Sequence, residues 1–283
     1  MLLTRLEEKR LIDPPPLLVD NCQYLTIAGS HSYGCANAAD QDDPSDIDCV
    51  GFWIPPKECV FPHLRGEIPG FSTPGPTFLK PWESKAHDPD ACGGRGQDYD
   101  IKIFNIVPMF KLLMQCNPNL IDAIFTKQEE VLHTTEVGDM VRENRKLFLH
   151  KGCFPRFVSY ASEQLHKMSA KNPKKGSKRA DLRERFGFDV KFGMHLVRNL
   201  LQVEQILLEG DMDLHRHSEH LKAIRRGDIC EEEIQKWALD KKRQLGQAYA
   251  NSKLPEGPDE KAVKHLLESC LERHYGTLRG MIY

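Results

Sequence analysis

GSHSYGCANAADQDDPSDIDCVGFW occupies Gly29–Trp53, and its alternation decides the fold. In Asp46-Ile47-Asp48-Cys49-Val50-Gly51-Phe52 every second side chain of an extended chain falls on one side. Asp46 and Asp48 therefore share a face, and Ile47, Cys49 and Gly51 take the other. Acidic residues that only solvate a loop have no reason to alternate with isoleucine. Two carboxylates at that spacing repel unless a cation sits between them. Just upstream, Tyr24-Leu25-Thr26-Ile27-Ala28 predicts a strand over 23–28. Gly29-Ser30 then reads as a turn into a helix, with Ser30 available as its cap. Asp40 to Ser45 reads as a loop, and 46–54 as a second strand ended by Pro55-Pro56.

Outward from this segment, the stretch from about 62 to 97 is rich in Gly and Pro and predicts a long inserted loop. Tyr99-Asp100-Ile101-Lys102-Ile103-Phe104 restores the period of two and predicts another strand. Helical spacing follows over 107–116 and 119–126, separated by Asn117-Pro118, where Asn caps and Pro sits in the first turn. Further helices are expected over 136–148, 155–170, 188–209, 217–226, 230–250 and 258–274, with a short one before Pro14-Pro15-Pro16. The expected class is α+β. A small mixed sheet with flanking helices spans 1–150, including the 62–97 insert, and an α-helical domain spans 151–283.

The bulk numbers set limits. The chain has 283 residues, 40% hydrophobic and 28% charged, which suits a globular protein. A formal charge of -2 argues against a uniformly basic protein that coats nucleic acid. No run approaches the about 18 apolar residues of a transmembrane helix, so no membrane partner is expected. MLLTRLEEKRLIDPPP carries charges where a signal peptide needs an apolar region. Nine cysteines without a CxxC pair speak against a disulfide framework or structural zinc and fit a reducing cytoplasm.

Three readings of the aspartates compete. A calcium loop starting at Asp40 would place Ser45 at its sixth position and Gly51 at its twelfth, wrong at both. A solvated acidic turn accounts for Asp40, Asp42 and Asp43. The third reading is a divalent-metal site on a sheet, built by Asp46, Asp48 and a third carboxylate. Asp100 is that partner, with Asp98 the alternative of the same parity. Three such carboxylates would hold two Mg²⁺ or Mn²⁺ ions ~3.5–4 Å apart, around an in-line phosphoryl displacement. Gly29 and Ser30 would then serve as phosphate holders, with backbone donors at a helix start. A lone DxD is common, and glycosyltransferases also use one; the ordered combination is more specific.

That order resembles the DNA polymerase β-type nucleotidyltransferase superfamily: an apolar residue, Gly-Gly or Gly-Ser, Asp-apolar-Asp, then a third strand carboxylate. More narrowly, GSHSYG with SDIDCVGFW resembles the RNA-repair-associated polymerase-β-like family of predicted nucleotidyltransferases. DIKIFNIVPMFKLLMQCNPNLIDAIF, KFGMHLVRNL and AIRRGDI extend the resemblance from about residue 24 to about 240, with 62–97 left out. The chain departs from the family in a longer connection from Ser30 to Asp46 and in the insert before Asp100. The resemblance implies that Gly29 and Ser30 hold phosphate, Asp46 and Asp48 bind metal, and Asp100 is the third carboxylate. The implied substrate is a nucleoside triphosphate. An acceptor hydroxyl attacks its α-phosphate and pyrophosphate leaves. An RNA or tRNA 3′ end is the first expected acceptor. A protein hydroxyl, or nucleotide and RNA binding without chemistry, are the alternatives.

The helical half adds two features. Met168–Arg185 is dense in Lys and Arg, with Pro173 and Gly176 breaking any helix. It reads either as a solvated loop or as a clamp on phosphate. In FDVKFGMHLVRNLLQ, Val190, Met194, Val197 and Leu201 form an apolar stripe. Lys191, His195 and Arg198 lie on an adjacent stripe, as ordinary surface groups or as nucleotide contacts in a cleft. The resemblance of KFGMHLVRNL favours the second. The histidines of His215–His220 suggest a metal but lack partner ligands, and His31 and Tyr33 lie in the first turn after Ser30.

Overall fold

The computed structural model describes residues 1–36, 46–57, 80–169 and 178–276. Strands β1 (Cys22–Ala28), β2 (Ile47–Trp53), β3 (Trp82–Asp88), β4 (Gln97–Asn105) and β5 (Val131–Thr134) form one mixed sheet. Their order is β3-β4-β2-β1-β5. β2 and β4 are parallel, and the other neighbours are antiparallel. Together with the helices this is the α+β architecture expected from the alternation.

Strand parity sorts the side chains onto two faces. On the back, Cys49 and Trp53 of β2 and Tyr99, Ile101 and Ile103 of β4 meet Leu3 and Leu6 of α1 (Leu2–Glu8). On the front, Tyr24, Phe52 and Phe104 join the larger core shared with the helices. That core runs from Tyr24 to Cys270, so the sheet's front face and the later helices bury one another. Towards the amino ends of β2 and β4 the front face turns polar, and there a cleft opens.

β1 runs straight into α2 (Gly29–Ser32), a single helical turn. After β4 come α3 (Ile106–Met114) and α4 (Pro118–Phe125), capped by the side chains of Asn105 and Asn117. The pre-proline backbone is biased away from the helical region, so Asn117 is extended and free to cap. α5 (Glu136–Glu143) is followed by a 3-10 turn at Arg145–Phe148, and then by α6 (Cys153–Ser169) and α7 (Lys178–Phe186). α8 (Val190–Glu209) is the axis of the helical half, packed on α6, α9 (Ser218–Arg226) and α10 (Glu231–Asn251). The Asp189 carboxylate accepts from the N–H groups of Lys191 and Phe192 to start α8. α11 (Glu260–Tyr275) returns to pack on α5 and α3.

Several sequence expectations are corrected here. The stretch from 62 to 97 is not one loop, because Trp82–Asp88 forms edge strand β3. Its exposed side chains are mostly polar, as an edge that must not pair with another chain requires, and a polar strand carries little hydrophobic signal. β5, four residues long, was too short to predict. Residues 136–148 form a helix and a 3-10 turn rather than one helix. Lys178–Phe186 is helical, while Pro173 and Gly176 lie outside the described residues. Asp40, Asp42, Asp43 and Ser45, and with them the calcium-loop and acidic-turn readings, also lie outside. Among the described residues no helix is long and apolar enough to cross a membrane.

Candidate active site

Register places the two acidic strands against each other. In the parallel β2–β4 pair Asp48 lies opposite Asp100, and in the β1–β2 pair it lies opposite Ala28. Gly29 therefore sits directly over the Asp48 carboxylate. Its φ is +66°, and a Cβ built there would come within 2.0 Å of Asp48 Oδ2. Both facts demand glycine at this position. Ser30 does not cap α2, whose cap position is Ala28, with no side-chain bond.

Electrostatics mark this corner. Burial raises the Asp48 carboxyl above its ordinary range, and the like charges of Asp100 and Asp46 raise it further; Lys191 and Lys85 oppose them. Lys85 lies opposite Asp100 on β3, and its Nζ donates to Asp100 Oδ2 at 2.8 Å. That bond, more than any other cause, holds the Lys85 ammonium above its usual value.

The cleft in front of these groups has a volume of about 550 Å³. Of the residues expected at the site, Gly29, Asp48, Asp100, Lys191, His195 and Arg198 all line it. Ser30 and Asp46 do not. Asp46 is exposed just before β2, within electrostatic reach of Asp48. Asp98, the alternative third carboxylate, is held by His87 Nδ1 at 2.7 Å.

Arg198 is not the exposed cation that its spacing with Lys191 suggested. It is buried, and its Nη1 donates to Asp122 Oδ2 at 2.9 Å and to the Tyr33 hydroxyl. Tyr33 Oη in turn donates to the same Asp122 oxygen at 2.7 Å. Tyr33 thus lines the cleft through a scaffold contact, while His31 does not line it. The remaining histidine suggestion also dissolves: His215 Nε2 contacts Glu130 at 2.8 Å, and His220 packs on Trp237.

The opposite wall was missed. Tyr160, Glu163, Gln164 and Lys167 of α6 line the cleft together with Asn117 and Asn119. The α6 residues follow i, i+3, i+4, i+7, one face of a helix. The stripe was visible in the sequence, but a polar stripe ordinarily marks the solvent side.

Among the described residues no three His, Cys, Asp or Glu side chains are gathered into a metal-holding group. The acidic feature is a pair, Asp48 and Asp100, with Asp46 beside it. Its chemistry fits a hard divalent cation: carboxylate oxygens only, like charges for a cation to relieve, and an ammonium group already drawn to Asp100.

The model of RlaP, the RNA repair pathway DNA polymerase beta family, matches residues 5–269. The chain belongs to that family. This RNA repair pathway polymerase-β family member is, at that level, a polymerase-β-like nucleotidyltransferase. Among curated proteins none matches the chain. Among solved structures it is similar to a nucleotidyltransferase-like protein from Exiguobacterium sibiricum at 10% identity and a TM-score of 0.28. That similarity covers 97% of this chain and 75% of the other.

Proposed function

We propose that this family member transfers a nucleoside monophosphate from a nucleoside triphosphate to an acceptor hydroxyl, an RNA 3′ end in the first instance, with release of pyrophosphate. The observation that carries the reading is the register-matched pair Asp48–Asp100 under Gly29, lining a cleft that Lys191 also lines. The family's description, which names an RNA repair pathway, supports the choice of acceptor.

In this reading Gly29, where a Cβ would strike the Asp48 carboxylate, lets the backbone approach a phosphate beside that group. Lys191, with the exposed ammonium group of a first-turn residue, balances charge on the triphosphate. Asp48 and Asp100 would hold Mg²⁺ or Mn²⁺, with Asp46 and substrate phosphate oxygens completing the shell. When bound there, the metal supplies Lewis acidity towards the attacking hydroxyl and the leaving pyrophosphate. Lys85 would have to release Asp100 for this, and the freed carboxylate would then assist removal of the acceptor's proton. Asn117, Tyr160 and Gln164 offer donors and acceptors to the base and ribose. Nine cysteines without a CxxC pair suit a cytoplasmic setting.

The test uses the purified chain with each α-³²P-labelled nucleoside triphosphate, Mg²⁺ or Mn²⁺, and a pool of small RNAs, beside an Asp48→Asn control. Label on RNA that disappears in the control is the expected result. Label on the chain itself, or on RNA irrespective of Asp48, would overturn the proposal.

A further inference from the structure

Behind the cleft two thiols touch. Cys116 Sγ and Cys153 Sγ are 3.0 Å apart and 37 residues apart in sequence, and both side chains are buried. His150 completes the group. Its Nδ1 accepts from the Gly152 N–H at 3.1 Å, which leaves the proton on Nε2. That N–H points at Met114 O, 3.0 Å away, and at Cys116 Sγ, 3.1 Å away. Removing one proton from the thiol pair leaves a thiolate held by the remaining S–H and flanked by an imidazole N–H.

The backbone supplies a second, independent observation. α3 ends with Cys116 N–H bonded to Leu113 O at 2.8 Å and Asn117 N–H bonded to Leu112 O at 3.0 Å. This pair of bonds places the residue after the helix in the left-handed region, where glycine is usual. Cys116 occupies it with φ +52°. A side chain there is strained, and what the position gains for the strain is a sulfur aimed at Cys153.

We propose that Cys116 and Cys153 form a reversible, peroxide-sensitive disulfide. One thiolate attacks a peroxide oxygen; the O–O bond breaks, and a sulfenic acid and water result. The second thiol then attacks the sulfenic sulfur, an S–S bond forms, the S–O bond breaks and a second water leaves. Two electrons from the two sulfurs reduce one hydrogen peroxide to two waters. The sulfurs need to close only to about 2.05 Å. The bond would fasten both shoulders of the cleft. Cys116 precedes Asn117, whose side chain contacts Tyr160 Oη at 3.4 Å, and Cys153 opens α6, which carries Tyr160. This modification goes beyond the transfer reaction and does not depend on it.

The test treats the full chain with graded hydrogen peroxide, quenches it, alkylates under denaturing conditions and maps peptides with and without dithiothreitol. The expected result is a Cys116–Cys153 linked peptide lost on reduction, with the oxidised chain melting roughly 5–10 °C higher. Cys116→Ser should abolish both changes. Cys116→Gly, which suits the backbone, should do the same and serves if the serine variant folds poorly. Free Cys116 and Cys153 at peroxide doses that consume the exposed thiols of Cys92 and Cys230 would overturn the proposal. So would linkage of either to a different cysteine.

Discussion

Asp48 with Asp100 and Arg198 with Asp122 are built in opposite ways: the first two both line the cleft, and of the second pair only Arg198 does. The Asp122–Arg198 pair is closed: its side chains are 3% and 6% exposed, and Tyr33 binds the same carboxylate oxygen. Burial pushes the Asp122 carboxyl up, with a Gln202 hydrogen bond opposing it, and pushes the Arg198 guanidinium down; the two groups are 2.9 Å apart. This group ties the α2 corner, α4 and α8 together, so it is scaffold. Asp48 and Asp100 instead place like charges side by side, with Asp100 40% exposed. Repulsion left open to a cleft is useless for stability and useful for holding a cation.

Breaking each side of this comparison should give mirror-image results. Asp48→Asn should lower nucleotidyl transfer by ~10³-fold or more while leaving the melting temperature unchanged or higher. Transfer that survives would remove the carboxylate pair from the chemistry. Asp122→Ala should instead cost ~3–5 kcal/mol of stability by stranding a buried guanidinium, read from the midpoint of a denaturant titration. A wild-type midpoint would contradict the scaffold role. Gly29→Ala lies between the two. Forcing a Cβ into the left-handed region costs ~1–2 kcal/mol and displaces the Asp48 carboxylate, so stability and transfer should fall together. Lys191→Ala should weaken nucleotide binding about tenfold, the ~1.4 kcal/mol scale of one charged contact, with no change in melting.

The smallest effect is in pH dependence. The folded state raises the Asp48 pKa above 3.8, so between the two values it binds more protons than the unfolded chain. The contribution of Asp48 to stability therefore falls as pH rises through that window and stays lower above it. The stability advantage of Asp48→Asn over wild type should widen from acidic to neutral pH in urea titrations. An advantage independent of pH would show that the carboxylate is not strained in the fold.

Much of this was legible from local pattern. Period-two alternation located β1, β2 and β4, and cap chemistry located α4 at Asn117-Pro118. Asp48, Asp100, Gly29 and Lys191, each marked by local pattern, all line the cleft. Three features escaped, each for a physical reason. β3 is a polar edge with little to bury. The α6 stripe from Tyr160 to Lys167 looks like any wet helix face until another wall stands opposite it. Arg198 does share a stripe with Lys191, but seven residues at 1.5 Å each carry it about 10 Å further along the axis, from the helix start into the core.

The sequence by itself determined which residues share a strand face or a helix stripe, because periods of 2 and 3.6 follow from backbone geometry within one segment. Those periods point to the fold class, and the resemblance carried by GSHSYG, SDIDCVGFW and KFGMHLVRNL points to the family. Only the tertiary structure decided that Asp48 meets Asp100 while Asp98 is taken by His87, that Arg198 is scaffold, and that Cys116 touches Cys153. Strand register, depth along a helix and thiol contact all depend on segments tens of residues apart. They are set by how those segments pack together, which no single segment encodes.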